Sequence, residues 1–185
     1  MQKYLRRVDR FRELLLFCVH VTGGQPARGS EITSIRFRNG FQQDRNVFAI
    51  QGHIVVVTRY HKSQSQFDKP KVIPKFLPWE VGQLQVLWQA YVQPFQEHLA
   101  AKVKGSGRCD HIWANEFGPW GTDRLTKVIN RETSKRLGVR LTTLDYRHVA
   151  VGLGREKVGE RFSRGYIAES IEVEAVSYTH LRAHE

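Results

Sequence analysis

The sequence predicts a mainly helical α+β domain with a three-stranded antiparallel sheet on one side. Apolar residues recur at helical spacing in long segments toward both ends of the chain. Between residues 47 and 74, short β-branched runs follow one another, separated by turn residues. The chain has 185 residues, 41% of them apolar, which suits one ordinary domain with its own core. We expect residues 1–175 to form this domain.

The first helix is predicted from Arg10 to Val21, where RFRELLLFCVHV has the composition of a buried helix. The Gly23-Gly24 pair stops it. Pro26 favours a second helix directly afterwards, because proline suits the first helical turn. The start of the domain is therefore two helices that flank a glycine turn.

The sheet is predicted between the helical segments. Two β-branched segments between Val47 and Tyr60 are separated by Gln51-Gly52, which indicates a hairpin. The stretch KVIPKFLP supplies a third short strand. We expect this strand to end at Pro74, because proline has no N–H to donate to a neighbouring strand.

Three further helices are predicted after the sheet. The segment from Trp79 to Leu99 has helical apolar spacing, and Pro94 indicates a kink or break in it. The next helix is capped by Thr122 or Asp123 and runs to Leu137, where Gly138 stops it. The last opens at a capping box formed by Thr142 and Asp145.

The charge indicates a polyanionic partner. Twenty-nine Lys and Arg against 18 Asp and Glu leave a net charge of +11, and the pI is near 10. Such a surplus attracts nucleic acid through counterion release. The alternative is a basic protein without a specific partner, because charge bears on association and not on fold.

The cysteines and the hydropathy indicate the compartment. Cys18 and Cys109 have no spacing that suits a zinc site or a disulfide framework, so we expect no metal and a reducing, intracellular location. There is no leader-like segment and no stretch of 18 apolar residues, so we expect neither secretion nor a membrane partner.

The last ten residues, VSYTHLRAHE, look like the translation of a transposase-end adapter used in sequencing libraries. We therefore expect residues 176–185 to be disordered read-through and the natural chain to end near Ala175. The alternative is a genuine mixed polar tail.

Arg28 is the first candidate for phosphate chemistry. Cutting a phosphodiester without metal requires cationic donors on the non-bridging oxygens, and the planar fork of arginine binds phosphate bidentately. Arg28 follows Pro26, beside the free N–H groups of the second helix, and Glu31 can brace it from the same face. The alternative is a surface ion pair of small energetic value.

Three segments resemble tyrosine recombinases, the phage integrase class, in the family's order. LLLFCVHVTGGQPARGSEITSIRF resembles the first motif, with Arg28 at the first arginine. VVVTRYHKSQ resembles the strand pair that presents a catalytic lysine, here Lys62. IWANEFGPWGTDRLTKVINRETSKRLGVRLTTLDYRH resembles the segment that leads to the second arginine, Arg147, and the histidine after it, His148.

The resemblance spans about Arg10 to Arg155. QPARGSEI and DYRHVAV are most similar to fungal recombinase-like domains of mobile elements, also found beside RecQ-like helicase modules. The resemblance implies an integrase-like catalytic fold acting in the nucleus on double-stranded DNA, with a homo-oligomer assembled on that DNA. Family members cut by tyrosine attack, giving a 3′-phosphotyrosine, and use no metal or nucleotide cofactor.

The resemblance also implies roles for single residues. Arg28 and Arg147 would clamp the scissile phosphate, Lys62 would protonate the leaving oxygen, and Glu31 would orient Arg28. The neighbours of Lys62 in the same basic loop are rivals for its role, or contact phosphates only. Further DNA contacts are expected from Arg59, His61, Lys69 and Arg124.

Two departures from the family pattern concern catalysis. The family usually has a histidine three residues before the second arginine, and this chain has Leu144. His148 either substitutes for it or is a core or capping histidine. Tyr178 lies 31 residues after Arg147, close to the family's separation, but within the adapter-like tail, and Tyr166 is too near.

We therefore expect this chain to bind DNA and to cleave nothing. The alternative is a non-catalytic DNA-binding module, joined to a helicase or a mobile-element protein, whose arginines remain as phosphate clamps. RNA binding is not favoured, because no aromatic run of the RNA-recognition type is present.

Overall fold

The structure is a computed structural model that describes residues 2–41, 43–60, 71–104, 109–115 and 117–159. It is a mainly helical α+β fold with a three-stranded antiparallel sheet, which confirms the predicted fold class. The elements are α1 Gln2–Thr22, α2 Gly29–Thr33, β1 Val47–Ile50, β2 His53–Tyr60, β3 Lys71–Phe76, α3 Trp79–Leu87, a π-helical turn Trp88–Val92, α4 Gln93–Lys104, β4 Ala114–Asn115, β5 Gly118–Pro119, α5 Thr122–Leu137 and α6 Thr143–Val158.

The sheet has the strand order β1-β2-β3, with antiparallel neighbours. The predicted hairpin is confirmed, and its Gln51-Gly52 turn has positive φ at both residues. The predicted end of the third strand is wrong, because β3 continues through Pro74 to Phe76. Proline is tolerated there because β3 is an edge strand of this sheet, with only β2 beside it.

The first two helices differ from the prediction at their starts. α1 begins at Gln2, well before Arg10, and its early turns contribute Val8 to the core. α2 begins at Gly29 and not at Pro26. Arg28 has extended backbone angles, φ −69° and ψ 151°, so it is the residue before the helix and not a member of its first turn.

The helical segment predicted around Pro94, with a kink or break, is two helices joined by a π-helical turn. That turn covers Trp88–Val92, so the irregularity precedes the proline. Pro94 has no N–H for the carbonyl of residue 90, and the wider turn absorbs this missing hydrogen bond. α4 then continues to Lys104, beyond the expected end at Leu99.

The last two helices follow their capping signals closely. The residue before α5 is Gly121, so the predicted cap at Thr122 or Asp123 is wrong by a position or two. Gly138 ends α5 with φ 71°, the left-handed conformation that favours glycine. The capping box before α6 is confirmed: the Asp145 N–H donates to Thr142 Oγ1 at 3.2 Å, and the Thr142 N–H donates to Asp145 Oδ2 at 2.9 Å.

The core lies around α1, which packs against α5 and α3. Tryptophans from three parts of the chain meet the aliphatic residues of α1, α2 and α5 there. The most deeply buried large side chains include Leu16, Ile32, Trp88, Trp113, Leu125 and Ile129. In the part of the chain that the structure describes, no helix is long and apolar enough to cross a membrane.

Candidate phosphate-binding site

A buried lysine organises the turn between α1 and α2. Lys75 lies in β3 with a relative exposure of 4%. Its ammonium donates hydrogen bonds to the carbonyl oxygens of Gln25 and Gly23. Because these carbonyls belong to the glycine turn, Lys75 ties the sheet to the segment that leads into Arg28. The sequence analysis missed this residue.

The pKa of Lys75 is lowered to about 8, mainly because burial disfavours its charged form. The positive charge of Arg147 lowers the pKa further, whereas the negative charge of Glu31 raises it. Both residues therefore lie near the Lys75 ammonium. This places one residue of α2 and one residue of α6 around the same strand position.

Arg28 and Glu31 are linked through backbone and side chain. The Arg28 N–H donates to Glu31 Oε2 at 2.9 Å, and Arg28 Nε lies 3.8 Å from Glu31 Oε1. The predicted bracing contact is thus present, with the Glu31 side chain 11% exposed and the Arg28 side chain 35% exposed. Next to them, a Cβ on Gly29 would lie 2.2 Å from Thr122 Cγ2, so a glycine is needed for the close approach of α2 to α5.

Arg147 approaches from α6, which is held over the end of α1 by its neighbour Tyr146. The Tyr146 hydroxyl donates to the Val21 carbonyl at 3.3 Å, and its ring centre is 5.2 Å from that of His20. Arg147 is half-buried and forms no hydrogen bond or ion pair with any residue that the structure describes. Its guanidinium therefore has no carboxylate counter-charge among them.

We call Arg28, Glu31, Lys75 and Arg147 the cationic cluster. It unites three cations and one carboxylate from the start of α2, from β3 and from α6. An excess of positive charge at a partly exposed surface is suited to bind a phosphate, and arginines do this with paired N–H donors. Arg147 lies near Lys75, and Arg28 is connected to Lys75 through Glu31.

His20 lies beside the cluster and was also missed by the sequence analysis. It is 2% exposed, and neither of its ring nitrogens has a hydrogen-bond partner among the described residues. Burial lowers its pKa to about 4, with smaller contributions from Lys75 and Arg147. Its ring is therefore neutral at pH 7.

A sequence signal for Lys75 exists in the strand alternation. Along β3 and the residue after it, Ile73, Lys75 and Leu77 share one face, and the last two are buried. A lysine at the inward position of an alternating strand is unusual, because lysine is almost never fully buried unless it is paired.

The remaining predicted residues are distributed differently. His148 and Leu144 are exposed on α6, Leu144 with 62% relative exposure. Arg124 lies 3.9 Å from the centre of the Trp120 ring and forms ion pairs with carboxylates of α1, away from the cationic cluster's own carboxylate. Arg59 is in β2, and its side chain lies outside the described set. Lys62, His61, Lys69 and the tyrosines Tyr166 and Tyr178 all lie outside the described residues, as do residues 176–185.

The described residues contain no group of three or more His, Cys, Asp or Glu side chains that could hold a metal ion. No protein-family model and no solved structure matches this chain.

Proposed function

We propose that this chain binds double-stranded DNA as the catalytic-type domain of a tyrosine recombinase or integrase, and that in this form it does not cleave the strand. The observation that carries the proposal is the cationic cluster, in which Arg28 contacts Glu31, and Glu31 and Arg147 both lie near Lys75. The net charge of +11 supports the same partner. Such a domain acts where chromosomal DNA is, so we propose a nuclear location.

Within this proposal, Arg28 and Arg147 contact the non-bridging oxygens of one phosphate. Glu31 orients Arg28 through the two contacts to its backbone and guanidinium. Lys75 acts behind them, because its ammonium is directed to the carbonyls of the glycine turn. Lys62 keeps its proposed role as the acid for the leaving oxygen, by resemblance alone.

One observation favours a second candidate, a non-catalytic DNA-binding module of a mobile-element or helicase-type protein. Leu144 is exposed one helical turn before Arg147, at the position where the resembled family has a histidine. A leucine there offers no hydrogen bond to a transition state. Arg28 and Arg147 would then still bind a phosphate, but the module would not cleave the strand.

A salt titration of duplex binding tests the proposed function. Neutralisation of about six to eight phosphates predicts a log–log slope of several units, at roughly 0.9 per phosphate. Arg28→Ala and Arg147→Ala should weaken binding equally on all sequences, because a phosphate contact carries no base information. Lys127→Ala, which removes an exposed lysine of α5, serves as the matched control and should change little.

Two results would contradict the proposal: affinity that stays flat between low and moderate salt, or an arginine variant that changes which sequence is preferred. A nicked duplex tests whether this form of the chain cleaves DNA. Both candidate functions predict no covalent protein–DNA adduct on a denaturing gel, so an adduct would contradict the proposal that this form does not cleave the strand.

A further inference from the structure

A second basic surface lies on the first turns of α1. Lys3, Arg6, Arg7 and Arg10 follow the i, i+3, i+4, i+7 spacing of one helix face, and they line a common depression. We call these four residues the basic stripe. Lys3, Arg6 and Arg7 are exposed, whereas the buried residue nearest to them, Val8, faces the core. The stripe is therefore on the solvent side of α1.

Three members of the basic stripe have no counter-charge in the part of the chain that the structure describes. Arg10 pairs with Glu132 at 2.8 Å and lies 3.7 Å from Glu13. Lys3, Arg6 and Arg7 form no ion pair or hydrogen bond within the described residues. The first turn of α1 also contains no acidic residue. The local excess of positive charge is thus as large as in the cationic cluster.

The stripe is unfavourable for the helix itself. Lys3 and Arg7 are four residues apart, as are Arg6 and Arg10, and like charges at this spacing destabilise a helix. Among the described residues, Lys3, Arg6 and Arg7 form no ion pair or hydrogen bond that would offset this repulsion. A polyanion laid along the stripe would remove the repulsion by neutralising it.

The distance between the two basic surfaces suits a duplex. Arg7 precedes His20, the neighbour of the cationic cluster, by 13 residues on the same helix, which is about 20 Å along the axis. This is less than the roughly 34 Å of one turn of B-DNA. Along the axis of α1, the two basic surfaces are therefore closer together than one turn of B-DNA.

We propose that the basic stripe is a second DNA-contacting surface, which binds backbone phosphates of the same duplex several base pairs away from the cationic cluster. This inference rests on the proposed function and adds a site to it. The chemistry of the ligand is a row of phosphates, because lysine and arginine ends spaced along a helix match a repeated charge.

The test is the triple variant Lys3→Gln, Arg6→Gln, Arg7→Gln, with Arg10 retained because it pairs with Glu132. The salt slope of duplex binding should fall by about 2 to 3 units, at roughly 0.9 per phosphate. The melting temperature of the triple variant should equal or exceed that of the wild type, because the substitutions remove repulsion and change no core residue.

The matched control removes the same charge elsewhere: Lys102→Gln, Lys127→Gln, Lys157→Gln, which are exposed lysines of α4, α5 and α6. Its slope should fall by less than about one unit. An equal fall in both triple variants would overturn the inference, because net charge alone would then explain the binding.

Other outcomes separate the possible failures. If the stripe variant binds duplex normally but no longer binds vesicles containing phosphatidylserine, the stripe is a membrane surface and the inference is wrong. If Arg28→Ala and Arg147→Ala weaken duplex binding while the stripe variant does not, only the inference fails. If the wild type itself shows no salt-dependent duplex binding, the proposed function fails as well.

Discussion

Two arginine-rich regions of this molecule differ in how their charges are compensated. Between α1 and α5, arginines meet three carboxylates at short distances, for example Arg131 to Glu13 at 2.9 Å and Arg124 to Glu13 at 3.0 Å. Around Lys75, Glu31 contacts Arg28, whereas Arg147 forms no ion pair with a described residue. In the first region each arginine forms at least one ion pair, and several of these pairs join α1 to α5, whereas in the second region Arg147 forms none with a described residue. The number of arginines alone does not distinguish a structural network from a binding site.

Arg12, in the first region, is a buried arginine whose role is structural. It is 6% exposed, donates to the Ile112 carbonyl at 2.7 Å and lies between the rings of Trp88 and Trp120, 5.1 and 4.9 Å from their centres. Burial lowers its pKa to about 10, so it remains charged at pH 7. Such a cation stabilises the core through its two ring contacts and its hydrogen bond.

The largest effect on stability is expected from Arg12→Ala. It removes a buried hydrogen bond, two cation–π contacts and the volume between two tryptophans, at a cost of about 3 kcal/mol in the free energy of unfolding. Urea denaturation measures it. Arg131→Ala, in the same network but 40% exposed, should cost less than about 1 kcal/mol. Equal losses for both variants would show that the tryptophan contacts contribute nothing.

The second prediction concerns pH and His20. The unfolded-state pKa near 6.5 falls to about 4 on folding, so between these values the unfolded chain binds a proton that the folded chain does not. The contribution of neutral His20 to the free energy of unfolding is therefore fully present above pH 6.5 and is lost as the pH falls. At pH 4 the loss is about 3 kcal/mol. His20→Phe keeps a ring beside Tyr146 and should remove this component.

Urea denaturation at a series of pH values from 7 to 4 compares the two proteins. The wild type should lose stability more steeply than His20→Phe, because all other titrating groups are common to both. Parallel curves would show that folding does not lower the pKa of His20, and burial would then not exclude the charged form of its ring.

The smallest effect on stability is expected from Arg147→Ala, the variant that should weaken DNA binding. Arg147 lowers the pKa of both Lys75 and His20, so its removal relieves repulsion. We expect the free energy of unfolding to change by no more than about 0.5 kcal/mol, in the stabilising direction. Arg147→Lys keeps the charge and serves as the control. A loss of more than about 1 kcal/mol would make Arg147 a structural arginine like Arg12.

Much of the fold was predictable from local signals. The Gln51-Gly52 hairpin, the Gly138 stop and the Thr142–Asp145 capping box depend on residues within a few positions of one another, and each is confirmed. The wrong end predicted for the third strand has a non-local cause. The strand through Pro74 is possible only because β3 is an edge strand, and strand order is a property of the assembled sheet.

The candidate site was predictable in part. The spacing of Arg28 and Glu31 predicted their contact, since three residues separate them. The sequence analysis missed Lys75 and His20 because their role depends on burial where β3 and α1 meet. No short stretch of sequence records that packing.

The sequence by itself determined the local elements and the surplus of positive charge, because turns, caps and composition depend on neighbouring residues and on counts. Only the tertiary structure decided which arginines are compensated. Arg124 was expected to contact DNA, yet folding brings it to Asp9 and Glu13, more than 100 positions earlier in the chain. Arg147 meets no such carboxylate among the described residues. Ion pairs between distant segments form only when helices pack, so the same residue type becomes a structural contact at one position and a candidate ligand contact at another.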